Sequence, residues 1–258
     1  MADLYQEING EGDDLLVLLH GLGATASVWQ GFVEQRPAWL PGRILRLDLP
    51  GHGDSVAAPT YALGQLAAYA GRAIAPHVQP DGKFIVLGHS LGGAVALMLS
   101  TSWFGELPNA AFGFGIKVAW STAELERQQV LAAQNPKLFA TEADAWERYL
   151  KVSGLYGLVD ARSAATARGI RRTNQQDSEA WRLSMDPRAN AVQPPPLDDV
   201  MRLARCPVHL ARGSDDAMVS LSALQGFDVS ARDLEDCGHN AMVDAPERVW
   251  QWLESSLQ

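Results

Sequence analysis

A serine set among glycines is the strongest candidate nucleophile of this chain. The motif GHSLGG at residues 88–93 follows the apolar run FIVL and precedes a stretch rich in small residues. A sharp turn from strand to helix would lift Ser90 above the sheet edge, and the small flanking residues would let the two elements approach. Ser90 would then lie at a helix N-terminus, which favours developing negative charge. An ordinary turn with a serine cap is the alternative, but this context favours a nucleophile for acyl transfer.

A serine hydroxyl needs a base that removes its proton. Among the six histidines, His239 lies in a loop after the last strand-like segment and before the last helical pattern. His89 adjoins Ser90 and is expected to point away across the pleat, whereas His20 and His52 are expected to shape turns. His239 is therefore a candidate base, with a loop histidine that has no catalytic task as the alternative.

The third member of such a site is an acid that orients the imidazole and stabilises its charged form. Two candidates, Asp215 and Asp216, stand in the segment ARGSDDAMV just past a strand-like run. Both lie between Ser90 and His239 in the chain, and the residues alone leave both open.

In LLHGLG (18–23), DLPGHGDS (48–55), GHSLGG (88–93), GSDD (213–216) and CGHN (237–240), the chain resembles the α/β-hydrolase superfamily over nearly its whole length. The order and spacing of these short motifs carry the resemblance. It implies that His239, before the last helix, is the base. It implies that Asp216, three residues after the glycine, is the acid and that Asp215 is a solvated turn residue. It also implies an oxyanion hole formed by the backbone N–H groups of Leu22 and Leu91.

The elements that must position these residues alternate between strand and helix. Strands are predicted at 15–20, 43–49, 83–89, 110–120, 206–213 and 229–237, and helices at 28–35, 62–78, 91–100 and 246–256. This order predicts an α/β fold with a mostly parallel, doubly wound sheet. Residues 1–120 and 200–258 form the predicted core domain, and residues 121–199 a helical cap, or lid, inserted into it.

Four arginines in the insertion could suggest an anionic substrate. A similar number of acids lies in the same segment, so a solvated helical face is the favoured interpretation. The arginines are Arg162, Arg168, Arg171 and Arg172.

Ester hydrolysis is the leading functional hypothesis, because it is the least demanding reaction that these candidate residues could catalyse. The resemblance leaves two alternatives open: an enol-lactone or carbon–carbon bond hydrolase on the same triad, and a small-molecule receptor with vestigial hydrolase activity. Aromatic and sulfur-containing side chains could line an apolar substrate pocket. The candidates are Trp29, Trp120 and Met218.

The remaining expectations concern partners. A net charge of −9 disfavours nucleic acid and anionic membranes. The N-terminal segment does not resemble a signal peptide, so a cytoplasmic location is expected. No residue pattern calls for a metal or cofactor, and a small, apolar acyl compound is the expected partner. One rival is the pattern G-x-G-x-x-A at residues 21–26, which with Asp48 approaches a dinucleotide-binding fingerprint.

Overall fold

A seven-stranded sheet forms the centre of the protein in the computed structural model, which describes residues 3–40, 42–175, 178–193, 195–227 and 230–258. Its strand order is β1-β3-β2-β4-β5-β8-β9. The strands are β1 (Gln6–Glu11), β2 (Leu15–Leu19), β3 (Gly42–Leu47), β4 (Phe84–His89), β5 (Ala110–Phe114), β8 (Val208–Gly213) and β9 (Ser230–Leu234).

All neighbouring strands of this sheet run parallel except β1, which pairs antiparallel with β3 at one edge. The predicted α/β fold with a mostly parallel sheet is confirmed. The sequence analysis did not predict β1, because its residues are mostly exposed and polar and give no apolar pattern. By contrast, β2 and β4 are buried throughout, as expected for strands covered on both faces.

Helices cover both faces of the sheet. On one side, α3 is buried at every position but one, because its small residues pack closely on the strands. On the other side, α9 buries Val249, Trp250, Trp252 and Leu253. The helices are α1 (Gln30–Glu34), α2 (Leu63–Ile74), α3 (Leu91–Leu99), α4 (Thr122–Ala132), α5 (Glu142–Ser153), α6 (Leu197–Leu203), α7 (Leu221–Gln225), α8 (Ala241–Asp244) and α9 (Pro246–Leu257).

The segment predicted as a helical cap is only partly helical. Ser121 begins α4 with a capping box, and the Thr141 side chain caps α5. The second half instead forms an antiparallel pair, β6 (Ile170–Gln175) and β7 (Ser178–Leu183). Exposure along β6 alternates, as it does in a strand with one covered face, and this period of two was missed in the sequence.

Several predicted boundaries also change: the helix expected over 62–78 ends at Ile74, and the strand expected over 229–237 ends at Leu234. The strand expected over 110–120 ends at Phe114, because Gly115 turns the chain away with a φ of 65°. The helix expected over 28–35 begins as a 3₁₀ turn, Ala26–Trp29, before α1.

Val229, the first residue of the last predicted strand, lies outside the described residues. In the part of the chain that is described, no helix is both long and apolar enough to cross a membrane.

Candidate active site

The turn between β4 and α3 holds Ser90 in a strained backbone conformation, with φ 51° and ψ −115°. Close approach of strand and helix enforces this turn. A Cβ atom on Gly92 would lie 2.2 Å from the carbonyl oxygen of Leu19, so no larger residue fits there. The Ser90 N–H donates to the carbonyl of Phe114 at 2.8 Å. The strained turn therefore fixes the serine at the carboxyl end of the parallel strands.

The imidazole of His239 is oriented by a buried carboxylate. Its Nδ1 lies 2.8 Å from Oδ2 of Asp216, whose side chain is fully buried. The other oxygen, Oδ1, accepts the N–H of Met218 at 2.8 Å. Asp215 is exposed and contacts the hydroxyl of Ser214 instead. Of the two candidate acids, Asp216 alone contacts the histidine.

Ser90 and His239 line the same cavity, which has a volume of about 260 Å³ and mostly apolar walls. Within the described residues, neither Ser90 Oγ nor His239 Nε2 makes a hydrogen bond to another protein atom. Catalytic hydrogen bonds of this kind often form only when substrate is bound. The hydroxyl of Ser90 and the Nε2 atom of His239 therefore belong to residues that line one cavity, and both are free to bind a substrate.

Two residues whose backbone N–H groups have no acceptor among the described residues also line this cavity. The residues expected to supply an oxyanion hole, Leu22 and Leu91, both line it. In the described part of the chain neither N–H donates to a protein acceptor. Two unpaired donors beside a serine can bind the negative oxygen of a tetrahedral intermediate.

His20 fixes the peptide that carries the first of these donors. Its Nε2 accepts the N–H of Leu49 at 2.8 Å, so the ring proton is on Nδ1, which donates to the Gly21 carbonyl at 2.8 Å. In a trans peptide the carbonyl and the following N–H point in opposite directions. Holding the Gly21 carbonyl on His20 therefore turns the N–H of Leu22 away from that ring.

The three residues expected to line the pocket do not all reach it. Trp120 and Met218 line the cavity, but Trp29 does not. Trp29 is fully buried behind the sheet, where its ring meets Phe32 and Phe114 edge to face. The prediction for Trp29 is wrong because a large aromatic ring next to a catalytic loop can equally fill the core.

His89 also differs from its expected place. Rather than pointing away, its ring lies 4.6 Å from that of His239, centroid to centroid, and forms part of the cavity wall. Gly115 makes room for both rings, since a Cβ atom there would lie 3.1 Å from His89 and 3.3 Å from His239. Complete burial holds the pKa of His89 well below its ordinary value. His89 is therefore a neutral packing partner of His239.

The C-terminal end of α5 contacts both the loop after β2, which carries Leu22, and the loop that carries His239, and the sequence analysis did not predict these contacts. Val152 packs on Gly23, where an added Cβ atom would lie 2.6 Å from its Cγ1. The Asn240 side chain donates to the carbonyl of Gly154 at 3.0 Å. No local pattern shows which end of a helix meets a distant loop, although the position of Asn240 beside His239 was a usable signal.

The rival dinucleotide interpretation needs a free carboxylate at Asp48. This side chain is fully buried and accepts the N–H groups of Ala26 and Asp54 at 2.6 and 3.0 Å. Arg168 also contacts it at 3.3 Å. Its oxygens are therefore occupied by protein donors and do not face a ribose.

Burial of histidines beneath the site predicts a stability that depends on pH. Burial lowers the pKa of His20 to about 4 and that of His52 to about 3. Each ring stays neutral in the fold while the unfolded chain takes up a proton below about pH 6.5, so the free energy of unfolding falls as pH falls through this window. Each contributes a loss of about 2 kcal/mol between pH 7 and pH 5.

Urea unfolding of wild type and His52→Phe at several pH values measures this contribution. The substitution keeps a ring but removes one titrating group, so the loss between pH 7 and pH 5 should shrink by about 2 kcal/mol. An equal loss in both proteins would contradict the prediction. The comparison uses the slope with pH, so it is independent of any constant destabilisation by the new ring.

Comparison with known families decides the wider assignment. The model of the family described as "Alpha/beta hydrolase family" matches residues 16–252 of this chain. The chain belongs to the α/β-hydrolase family. Solved structures of similar fold include the thioesterase domain from the curacin biosynthetic pathway, with a TM-score of 0.73 and 16% identity over 97% of this chain and 99% of that one. E-2-(acetamidomethylene)succinate hydrolase has a TM-score of 0.74 and 19% identity over 98% of this chain and 94% of that one.

The sequence relatives of this chain are of two kinds, which differ in how much of the chain they match. The dihydrolipoyllysine-residue acetyltransferase component of the acetoin cleaving system of Pseudomonas putida is 27% identical over 98% of this chain. This chain spans 65% of the length of that protein. A pimeloyl-[acyl-carrier protein] methyl ester esterase of Proteus mirabilis is 40% identical over 37% of this chain and 34% of its own length.

Proposed function

We propose that the protein hydrolyses carboxylic esters through an acyl-enzyme formed on Ser90. One observation carries the proposal: the strained serine and the His239–Asp216 pair open onto one mostly apolar cavity. A receptor would need the cavity alone. A buried carboxylate that orients a histidine beside a free hydroxyl is the arrangement that nucleophilic acyl transfer requires.

In the proposed reaction the ester carbonyl lies between Ser90 Oγ and the N–H groups of Leu22 and Leu91. His239 accepts the hydroxyl proton as the C–O bond to the serine forms, and then gives it to the departing alcohol. Water attacks the acyl-enzyme by the same route, and the carboxylic acid leaves. Asp216 holds the imidazole with its proton on Nδ1, so that Nε2 is free to accept.

Two further features support an apolar acyl substrate. The cavity walls include the side chains of Ile116, Trp120 and Val152. Proteins named as methyl ester esterases are among the sequence relatives, although they match less than half of this chain. We propose a small acyl compound, rather than nucleic acid or a membrane surface, as the partner.

Covalent labelling tests the acyl-enzyme directly. A fluorophosphonate, which phosphonylates activated serines, should add one label per chain, and peptide mass spectrometry should place it on Ser90. The Ser90→Ala variant should stay unlabelled and should not hydrolyse a nitrophenyl ester. Turnover by this variant, or a label elsewhere, would refute the proposal. Lactones and thioesters should be assayed beside the nitrophenyl ester, because the substrate with the highest kcat/KM distinguishes an esterase from a lactonase or a thioesterase.

A further inference from the structure

A second cavity of about 290 Å³ adjoins the catalytic one. The two share three wall residues: Leu22, Gln128 and Val152. The second cavity extends away from Ser90 between α4, α5 and the β7 end of the hairpin, and its walls include Leu131, Phe139 and Leu183. A ligand bound at Ser90 therefore has adjoining space for a longer chain.

The charged side chains that line this second cavity are all positive. Lys137 and Arg148 line it, and no acidic residue does so in the described part of the chain. Neither cation forms an ion pair with a described residue, and Lys137 instead lies 5.1 Å from the ring centroid of Phe139. Both side chains are exposed, so they can reach a ligand from the cavity rim.

The nearest acids already have partners. Glu147 pairs with Lys151, and Asp144 accepts the hydroxyl of Thr141 at 2.7 Å. Both acids line a neighbouring surface groove that shares Lys137, Phe139 and Arg148 with the second cavity. The two unpaired cations can therefore bind an anion from a ligand without first breaking a salt bridge.

The junction between the cavities carries an unused polar group. Gln128 lines both cavities, and its Oε1 is buried without a hydrogen-bond partner among the described residues. Buried polar atoms are normally paired, so an unpaired one in a cavity wall indicates a bond made to a ligand or to water. Because an amide oxygen only accepts, water or a hydrogen-bond donor of a ligand would satisfy it, and a carboxylate would not.

The spacing along α5 suits a ligand that spans both cavities. Arg148 precedes Val152 by four residues, or about 6 Å along the helix axis. Val152 packs on Gly23, in the loop after β2 that carries Leu22, so Arg148 lies about one helical turn beyond the wall of the cavity that contains Ser90. A short aliphatic chain bridges such a distance.

From these observations we propose that the second cavity binds the anionic end of the substrate, so that the preferred ester carries a carboxylate or phosphate at the far end of its acyl chain. Arg148 offers a planar pair of donors and Lys137 a point charge. The inference rests on the proposed ester hydrolysis and names its substrate class: an ester that is apolar at Ser90 and anionic at its other end.

Matched esters test the inference. The probes are methyl esters of straight-chain monocarboxylic acids and monomethyl esters of dicarboxylic acids of the same chain length. Wild type should prefer the half-esters by about tenfold in kcat/KM at the best length. Half-esters that end in a phosphonate distinguish the two anions. Because exposed charges are screened by salt, the preference should shrink as ionic strength rises.

Variants identify the binding groups. Lys137→Gln combined with Arg148→Gln should raise KM for the half-ester about tenfold and leave the neutral ester within about twofold. Arg127→Gln is the matched control, since Arg127 is an exposed cation of α4 that lines neither cavity. It should change neither KM.

Each other outcome has a definite meaning. Equal kcat/KM for both ester series, or an equal change of both in the double variant, would overturn the anion site and leave ester hydrolysis intact. A similar effect of Arg127→Gln would also overturn it, because general surface charge would then explain the preference. Hydrolysis of either ester by Ser90→Ala would instead refute the proposed function.

Discussion

Asp216→Asn should lower kcat for an activated ester by about 10³- to 10⁴-fold and leave KM nearly unchanged. The reason is the second hydrogen bond of this carboxylate. Oδ1 accepts the N–H of Met218, so an asparagine there would turn its oxygen towards Met218 and its NH₂ towards His239. The imidazole would then have to accept at Nδ1 and carry its proton on Nε2, where it could no longer take the proton of Ser90.

Asp215→Asn is the matched control for this prediction. Asp215 is the adjacent residue and is exposed, and its side chain contacts Ser214 rather than the histidine. Its rate should stay within about twofold of wild type, because a solvated carboxylate at this distance does not set the tautomer. Steady-state kinetics on both variants give the result. A similar loss in the two variants would show that negative charge near the loop matters, rather than the bond to His239.

The candidate catalytic residues could be located from the sequence because each lies in a short motif with a fixed local geometry. The turn at Ser90 follows from glycines that allow a strand and a helix to approach, and these are local properties. The loop that carries His239 follows in the same way from its place after the last strand. The choice between Asp215 and Asp216, in contrast, rested on resemblance, because two adjacent carboxylates differ only in which one the fold buries.

Most of the walls of the two cavities could not be located in this way, although Trp120 and Met218 were. Val152 and Arg148 belong to a helix whose contact with the loop after β2 depends on packing across more than a hundred residues of chain. Trp29 illustrates the converse error, since nothing local separates a buried core aromatic from a pocket aromatic. The position of a side chain relative to a site is decided by tertiary contacts, which apolar periodicity does not encode.

Four arginines of the insertion were expected on a solvated helical face, and Arg168 departs most from this expectation. Arg168 does not lie on a solvated helical face. It precedes β6 with a φ of 64°, stacks 4.1 Å from the ring centroid of Tyr5, and pairs with Glu7 at 2.8 Å. It also reaches the buried Asp48. One side chain of the insertion thus joins the edge strand β1 to the loop after β3.

Arg168→Met should therefore lower the free energy of unfolding by about 3 kcal/mol, because it leaves the buried Asp48 without its cationic partner. Arg162→Met is the control: Arg162 pairs with Glu142 while 75% exposed, and its loss should cost less than about 1 kcal/mol. Urea unfolding at neutral pH measures both. Equal small losses would mean that the N–H groups of Ala26 and Asp54 suffice for Asp48. A large loss for Arg168 alone would establish that the insertion is held to the core by a buried ion pair.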